Sequence, residues 1–292
     1  MLDKTLLDPD GQMPMPFQAA EDYAEQVMGW AQQALPEDIT VTADLIYGEH
    51  RLQRYDVYAP RGARQAPALV FWHGGGWTNG YRAYVRFMAP HVTRLGMALV
   101  APSYRLAPEH PLPAALDDAL QLLRALQTSL APLGADPRQL YLSGHSAGGH
   151  IATLAALRRD QQQRIGLPDA CVRGCLPISG IMDLYHPAPL AGSLEERVYT
   201  MVLRDPAQDA VMSPLCWSVG NRMPMLLSFG EHDSERVMRS NRRLFELLRL
   251  QDGPVQCRVE AGQDHFQTHT ALNDAAHPWY AALQRLTTKG TP

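Results

Sequence analysis

The sequence predicts an α/β fold in which a mostly parallel, eight-stranded sheet is flanked by helices and partly covered by a small cap. Two patterns carry this prediction: short apolar or alternating runs of strand length, and helical segments between most of them. The eight predicted strands lie at residues 41–47, 53–59, 68–72, 97–102, 139–143, 173–178, 224–229 and 255–260. Such alternation is typical of parallel strands joined by helical crossovers.

The first two strands differ from the rest because their connection is short. It is formed around Gly48-Glu49-His50, which predicts an antiparallel hairpin. From the third strand onward helical segments intervene, so right-handed crossovers and parallel pairing are expected. Leu116, Leu120 and Leu123, for example, recur at helical spacing.

Length and composition predict a single domain over residues 1–292. The chain is 46% hydrophobic, which is enough to bury one large core. Two segments lie outside the sheet pattern: an N-terminal cap segment at 1–40, in which residues 21–35 are expected to form a helix, and an insertion at 181–223. We expect both to cover the carboxyl ends of the strands and shape an apolar pocket there. The alternative is that they pack only on the core.

A serine between glycines follows the fifth predicted strand. The segment is Gly144-His145-Ser146-Ala147-Gly148, and a predicted helix begins directly after it. A strand, a tight glycine-flanked turn and a helix form the nucleophile-elbow pattern. The turn exposes the hydroxyl of Ser146 and directs the first N–H groups of the helix toward whatever that hydroxyl attacks. Ser146 is therefore the candidate nucleophile.

A run of glycines follows the third predicted strand. The segment is His73-Gly74-Gly75-Gly76-Trp77. Consecutive glycines allow the backbone to approach a ligand closely and turn its N–H groups toward it. We expect Gly75, Gly76 and Ala147 to donate to a developing oxyanion. The alternative is an ordinary glycine-rich turn between a strand and a helix.

An acid and a histidine follow the seventh and eighth predicted strands. These are Asp233 and His265, which give the chain order serine, aspartate, histidine. His265 is expected to accept the proton of Ser146, and Asp233 to orient the imidazole. The alternatives for the acid and the base are Glu231, Asp264, His269 and His277.

Five side chains are expected around the substrate. They follow the glycine run, precede the nucleophile, follow the fourth strand or lie in the 181–223 insertion: Trp77, His145, Tyr104, Tyr199 and Met201. For Trp77 the alternative is core packing under the loop, and for His145 it is packing beside Ser146. Separately, we expect Arg105, Glu109 and Asp117 to form ion pairs that support the site.

Composition excludes several functional classes. The chain has 26 Lys and Arg against 30 Asp and Glu, a net charge of −4 without a basic run, so nucleic acid is not an expected partner. No signal peptide or membrane-spanning run is recognised. Four cysteines without metal-type spacing predict reduced thiols, no metal and a cytoplasmic protein. No cofactor is expected, and a homodimer is left open.

Three segments together resemble the α/β-hydrolase superfamily: His73-Gly74-Gly75-Gly76-Trp77, the stretch 103–110, and the elbow at 144–150. Residues 104–117 are similar to the hormone-sensitive-lipase-like carboxylesterases. The histidine before Ser146, the segment 233–235 and the upstream segment around 47–60 are similar to kynurenine formamidases and related esterases. The chain departs from the first branch at His145, where aspartate is usual, and from the second at Gly76, where tyrosine is common.

The resemblance implies acyl transfer through a covalent serine intermediate. The first expectation is a carboxylesterase for small esters. The alternative is an arylformamidase that cleaves an N-formylkynurenine-type amide. A remote alternative is a non-catalytic ligand-binding homologue, which would typically lack a triad residue, whereas Ser146, Asp233 and His265 are all present.

Overall fold

The computed structural model describes residues 12–289 and contains one eight-stranded sheet. The strands are β1 (Ile39–Ile46), β2 (Arg54–Pro60), β3 (Ala66–Trp72), β4 (Ala98–Pro102), β5 (Ala135–His145), β6 (Val172–Ile178), β7 (Met225–His232) and β8 (Val255–Asp264). Their order in the sheet is β1-β2-β4-β3-β5-β6-β7-β8. β2 pairs antiparallel with β1 and β4, and the other pairs are parallel. The predicted fold class and hairpin are confirmed.

Nine α-helices are present in the described part of the chain. They are α1 (Gln18–Ala31), α2 (Ala89–Arg94), α3 (Ala114–Ser129), α4 (Ala147–Leu157), α5 (Arg159–Arg164), α6 (Leu194–Arg197), α7 (Glu235–Leu248), α8 (Gln267–Thr270) and α9 (Pro278–Lys289). Shorter 3₁₀ segments lie at Arg82–Met88, Ala131–Leu133, Pro206–Gln208, Pro214–Trp217 and Ala271–Asn273, and a π-helical turn lies at Val198–Val202.

Both faces of the sheet are buried, which explains the nearly continuous apolar runs of its central strands. In β5, Leu140 and Leu142 belong to one buried cluster, with side chains of α3, α4 and α7. Tyr141, between them, belongs to the cluster on the other face, with side chains of α1, α2 and α9. The parallel strands end at one common edge, where loops rather than packed layers approach the solvent.

Most element boundaries differ from the sequence prediction by one to four residues. β5 begins at Ala135 instead of 139, because Ala135 pairs with Ala66 of β3 ahead of the apolar run. The first helix begins at Gln18 and ends at Ala31, whereas the apolar pattern suggested 21–35. Pro36 disfavours helix in the residues just before it, which is consistent with the earlier end.

Both proposed cap segments contribute residues to the wall of one cavity at Ser146. The start of the N-terminal segment, residues 1–11, lies outside the described residues, and its remainder leads into α1. The 181–223 insertion contains α6 and the following π-helical turn. Within residues 12–289, no helix is both long enough and apolar enough to cross a membrane.

Candidate active site

Ser146 occupies a strained turn between β5 and α4. Its φ of 55° and ψ of −119° are unusual for a residue with a side chain, and such strain persists only where the surroundings impose it. The N–H of Ser146 donates to the carbonyl of Ile178 at 2.9 Å. A Cβ on Gly148 would overlap the carbonyl oxygen of Trp72, and one on Gly144 would overlap Gly148. The flanking glycines are therefore required by the close approach of β3.

The structure brings the three predicted triad residues into one hydrogen-bonded chain. Oγ of Ser146 lies 2.8 Å from Nε2 of His265, and Nδ1 of His265 lies 2.8 Å from Oδ1 of Asp233. Asp233 follows β7 and its side chain is fully buried, whereas the imidazole of His265 keeps 25% exposure. The geometry allows His265 to accept the serine proton at Nε2 while Nδ1–H donates to the carboxylate.

Asp233 is held in its ionised form. Burial alone would raise the pKa of this carboxyl, but the hydrogen bond and charge of His265 outweigh it and lower the pKa below its ordinary value. The backbone N–H of Ser234 also donates to Oδ1 at 2.9 Å. The next helix, α7, is capped by Ser234, whose Oγ accepts the N–H of Val237.

The alternative acids and bases have other partners. Glu231 is exposed and accepts the N–H of Gly262, and Asp264 accepts the N–H groups of Phe266 and Gln267. His269 is fully buried beside Tyr23, and His277 lies 3.9 Å from Glu260. Among these candidates the geometry thus favours Asp233 and His265.

The glycine run supplies backbone donors beside Ser146. Gly75 and Gly76 have φ values of 124° and 60°, a region that favours glycine, and a Cβ on Gly75 would overlap the backbone of Asn79. The amides of Gly75, Gly76 and Ala147 have no hydrogen-bond acceptor among residues 12–289. All three are therefore available to a ligand at this position, as an oxyanion hole requires.

Tyr104, one of the predicted pocket residues, is fully buried beside His73 of the glycine loop and is not among the residues that line the cavity at Ser146. Its ring stacks on His73 with centroids 4.4 Å apart and an angle of 12°, and its hydroxyl donates to the His73 carbonyl at 3.2 Å. Burial lowers the pKa of His73 to about 4, so this imidazole is neutral. The pair supports the loop from below, because two flat buried rings fill the space beneath it.

A cavity of about 400 Å³ opens at Ser146. Trp77 and His145 line it, as the sequence predicted, together with residues of both cap segments such as Phe17 and Val198. A larger but shallow depression of about 560 Å³ lies elsewhere, around Trp30 and Gln263, and does not include Ser146 in its wall. Because this depression is open to solvent and none of the three triad residues lines it, it has no role in the proposed chemistry.

Tyr199 and Met201, the other two predicted pocket residues, are not among the residues that line the cavity. The hydroxyl of Tyr199 instead donates to Asp209 at 2.6 Å. Val198 and Val202 face the cavity. Val198 and Val202 are four residues apart and so lie on one face of the turn, whereas Tyr199 and Met201 lie on other faces.

The predicted ion pairs of Arg105 also need correction. Its guanidinium binds Asp118 through Nε at 2.9 Å and Nη2 at 2.6 Å, whereas Glu109 is exposed. The side chain of Asp118 is fully buried and also accepts from Gln53 at 2.7 Å. Asp118 rather than Asp117 is selected because it lies on the core-facing side of α3.

Sequence reasoning missed two residues of the site. Tyr23 of α1 and Arg236 of α7 both line the cavity. Tyr23 lies more than a hundred residues before the elbow, and no local motif marks it. The one feature that could have indicated its burial is its position on the apolar face of α1. Arg236 belongs to the helical segment after Asp233, and no motif in that segment marks it as a residue of the site.

The fold and the site together define an α/β protein whose site is built around a serine, and comparison with known proteins identifies its family. Residues 69–269, well over half of the chain, match the family model described as the alpha/beta hydrolase fold. The chain belongs to this family. Of the two branches noted in the sequence, the hormone-sensitive-lipase-like branch is the one that the match supports.

The relatives with assigned names include carboxylesterases. Carboxylesterase NlhH of Mycobacterium tuberculosis is 41% identical over 107 residues, 36% of this chain and 34% of that protein. Probable carboxylesterase 1 of Arabidopsis thaliana is 30% identical over 186 residues, 58% of this chain and 56% of that protein. The chain thus matches about a third to a half of the length of these curated relatives.

A solved structure extends the similarity to nearly the whole chain. The esterase from Pyrobaculum calidifontis superposes with a TM-score of 0.77, covering 97% of each chain at 21% identity. At this identity the comparison shows a shared fold. Activity must therefore be argued from the site itself.

Proposed function

We propose that the protein is a serine hydrolase that cleaves small carboxylic esters. One observation carries the proposal: the hydrogen-bonded chain from Ser146 Oγ through His265 to Asp233, at 2.8 Å for each link. The carboxylesterases among its relatives support ester cleavage as the reaction.

In the first step, Oγ of Ser146 attacks the ester carbonyl while Nε2 of His265 takes the hydroxyl proton. Asp233 stabilises the imidazolium through Nδ1–H. The negative charge on the former carbonyl oxygen is met by the N–H groups of Gly75, Gly76 and Ala147. Donors fixed in advance stabilise this charge without reorganisation, which contributes about 3–4 kcal/mol per donor in comparable sites.

In the second step, the tetrahedral intermediate collapses. The bond to the alcohol oxygen breaks, and His265 returns its proton to that oxygen. The acyl group remains on Ser146 as an ester. Water, deprotonated by His265, then attacks the acyl carbon and releases the carboxylic acid and the free serine. The proposed sequence uses no metal and no organic cofactor.

The cavity supports a short acyl or aryl group. A volume of about 400 Å³ lies at the small end of ligand pockets, and much of the wall is apolar, including Trp77, Val198 and Val202.

A cytoplasmic location is part of the proposal, supported by four cysteines that are all free thiols. A homodimer stays a prediction, which size-exclusion chromatography with light scattering tests.

The deciding experiment compares kcat/KM for p-nitrophenyl acetate and butyrate with that for N-formylkynurenine, in wild type and Ser146→Ala. We expect ester turnover that falls by several orders of magnitude in the variant, because the triad acts as a unit. A formamide rate far above both ester rates would instead assign an arylformamidase. Undiminished hydrolysis by Ser146→Ala would remove the proposed mechanism altogether.

A further inference from the structure

A guanidinium forms part of an otherwise largely apolar wall of the cavity. Arg236, in the first turn of α7, keeps only 14% of its side chain exposed. Its Nη2 donates to the carbonyl of Leu184 at 3.1 Å. Apolar side chains such as Val198 and Val237 line the same cavity.

Most of the hydrogen-bonding capacity of Arg236 is unused among the described residues. A guanidinium carries five N–H donors in a fixed plane. Its Nε is buried without an acceptor among residues 12–289. Nη1 lies 4.0 Å from Oε1 of Glu195, which is an ion-pair contact but longer than a hydrogen bond.

The charge of Arg236 is incompletely compensated. Burial lowers the pKa of this guanidinium, and Glu195 is the first of the groups that oppose the shift. A buried charge without full hydrogen bonding is destabilising, and an anionic ligand that supplies the missing acceptors relieves that cost. Arg197 lines the same cavity and adds positive charge to the wall.

We propose that Arg236 binds a carboxylate of the substrate, so that the preferred esters carry a negative charge on their acyl or alcohol part. This inference rests on the proposed ester hydrolysis at Ser146. A carboxylate fits because its two oxygens match the planar donor set of a guanidinium. The cavity that holds Arg236 also holds Ser146, so one small molecule can reach both groups.

In this proposal the carboxylate of Glu195 competes with the carboxylate of the substrate for Arg236. Its carboxylate, on the short helix α6, is the nearest acidic group paired with Arg236, and its side chain keeps 25% exposure. An incoming carboxylate replaces this long contact with direct hydrogen bonds. Removing the charge of Glu195 should therefore strengthen binding of an anionic ester, whereas removing that of Arg236 should weaken it.

The test uses ester pairs that differ in charge. Phenyl acetate is compared with 4-acetoxybenzoate, and ethyl valerate with monoethyl succinate, in wild type, Arg236→Met, Arg236→Lys and Glu195→Gln. Arg239→Met is the matched control, because Arg239 lies on the same helix but is exposed.

We expect the charged member of at least one pair to have the higher kcat/KM in wild type. Arg236→Met should lower that value about 10- to 100-fold, the usual loss of a hydrogen bond to a charged group, and should lower the value for the neutral ester by a much smaller factor. Arg236→Lys should retain part of the preference, Glu195→Gln should increase it, and Arg239→Met should leave it unchanged. Equal losses for both members of each pair would assign Arg236 a purely structural role and overturn the inference.

A binding measurement keeps the inference separate from catalysis. Benzoate and benzamide are titrated calorimetrically into wild type and Arg236→Lys. Tighter binding of benzoate, weakened in the variant, supports the carboxylate site even if no ester is hydrolysed. Equal binding of the two, or no effect of the variant, contradicts it. Failure of wild type to hydrolyse any of the four esters would overturn only the proposed function.

Discussion

The hydroxyl of Tyr23 lies 2.8 Å from Nδ1 of His269 and 3.5 Å from Nδ1 of His145, which joins α1 to the elbow that carries the nucleophile. Nε2 of His145 in turn lies 2.8 Å from the backbone carbonyl of His265. The rings of His145 and His269 are stacked at 10° with centroids 5.1 Å apart. The backbone of the proposed catalytic base is thus linked to the N-terminal helix.

One assignment of protons gives every donor in this series of hydrogen bonds an acceptor. Nδ1–H of His269 donates to the Tyr23 oxygen, Tyr23 O–H donates to Nδ1 of His145, and Nε2–H of His145 donates to the His265 carbonyl. Nε2 of His269 then carries only a lone pair, and it is the buried ring atom without a partner among the described residues. Burial lowers the pKa of both His145 and His269, so both rings are neutral, as the assignment requires.

Replacing Tyr23 should therefore affect catalysis as well as stability. We expect Tyr23→Phe to lower the free energy of unfolding by about 1 kcal/mol, the usual net loss for one hydrogen bond. It should also lower kcat for p-nitrophenyl acetate several-fold, because the carbonyl of His265 loses part of its support. Tyr280→Phe is the control, since that buried hydroxyl donates to Leu272 at 2.7 Å away from the cavity wall. Equal kcat values for the two variants would show that the Tyr23 link does not position the base.

The acid of the triad can be tested against its neighbour. Asp233→Asn removes the negative charge that His265 needs and should lower kcat by about 10⁴-fold, as in comparable triads. Glu231→Gln changes an exposed carboxylate two residues away, and its activity should stay within a factor of about 2. Thermal unfolding of both variants provides the check on folding. Similar activity of the two variants would contradict the assignment of Asp233.

Stability should fall as the pH is lowered below about 6.5. Burial lowers the pKa of His73 and His150 to about 4 and that of His269 to about 3, from the ordinary 6.5. Between these values the unfolded chain binds more protons than the folded one, so the free energy of unfolding decreases with falling pH. Each histidine contributes up to about 1.4 kcal/mol per pH unit.

Urea unfolding between pH 7 and 4.5 measures this slope. His150→Gln should reduce the slope of the unfolding free energy against pH by the contribution of one histidine, about 1.4 kcal/mol per pH unit. The exposed His232→Gln is the control and should leave the slope unchanged. The lowered pKa of Asp233 acts in a different window, because its contribution is lost only when the pH falls toward and below the ordinary 3.8. A stability that is flat from pH 6.5 to 4.5 would refute the burial of neutral histidines.

The cavity wall predicts where substrate size is controlled. Val198→Phe adds volume to a nearly fully buried position in the wall and should lower kcat/KM for p-nitrophenyl butyrate at least about 10-fold more than for the acetate. Met201→Phe is the matched change three residues along the same turn, outside the wall, and should leave the butyrate-to-acetate ratio unchanged. A shift of the ratio by Met201→Phe alone would restore the original assignment of the pocket.

The strands of the sheet could be predicted from short apolar or alternating runs, and the apolar runs of the central strands are buried on both faces. The ends of these strands also located Ser146, Asp233 and His265, and the structure brings their side chains within hydrogen-bonding distance. Their catalytic roles, like the oxyanion donors, stay predictions. Local sequence patterns are enough to locate these three residues, because the strand order of the family determines which strand ends are neighbours.

The remaining features depend on contacts that no local pattern records. Tyr23 reaches His269 across 246 residues of sequence, so nothing near either residue indicates the pair. Arg105 binds Asp118 rather than Asp117 because the phase of α3 turns only one of these adjacent carboxylates inward. Val198 and Val202 line the cavity and Tyr199 does not, because the packing of this turn on the rest of the protein sets which of its faces is directed toward the site.

Covalent trapping tests the central claim, that Ser146 is the nucleophile, most directly. The protein is incubated with a fluorophosphonate, and the modified residue is located by peptide mass spectrometry while ester hydrolysis is followed in parallel. We predict one adduct per chain, on Ser146, formed in proportion to the loss of activity and absent from Ser146→Ala. An adduct on another residue that accounts for the inactivation, or full inactivation without modification of Ser146, would contradict the account.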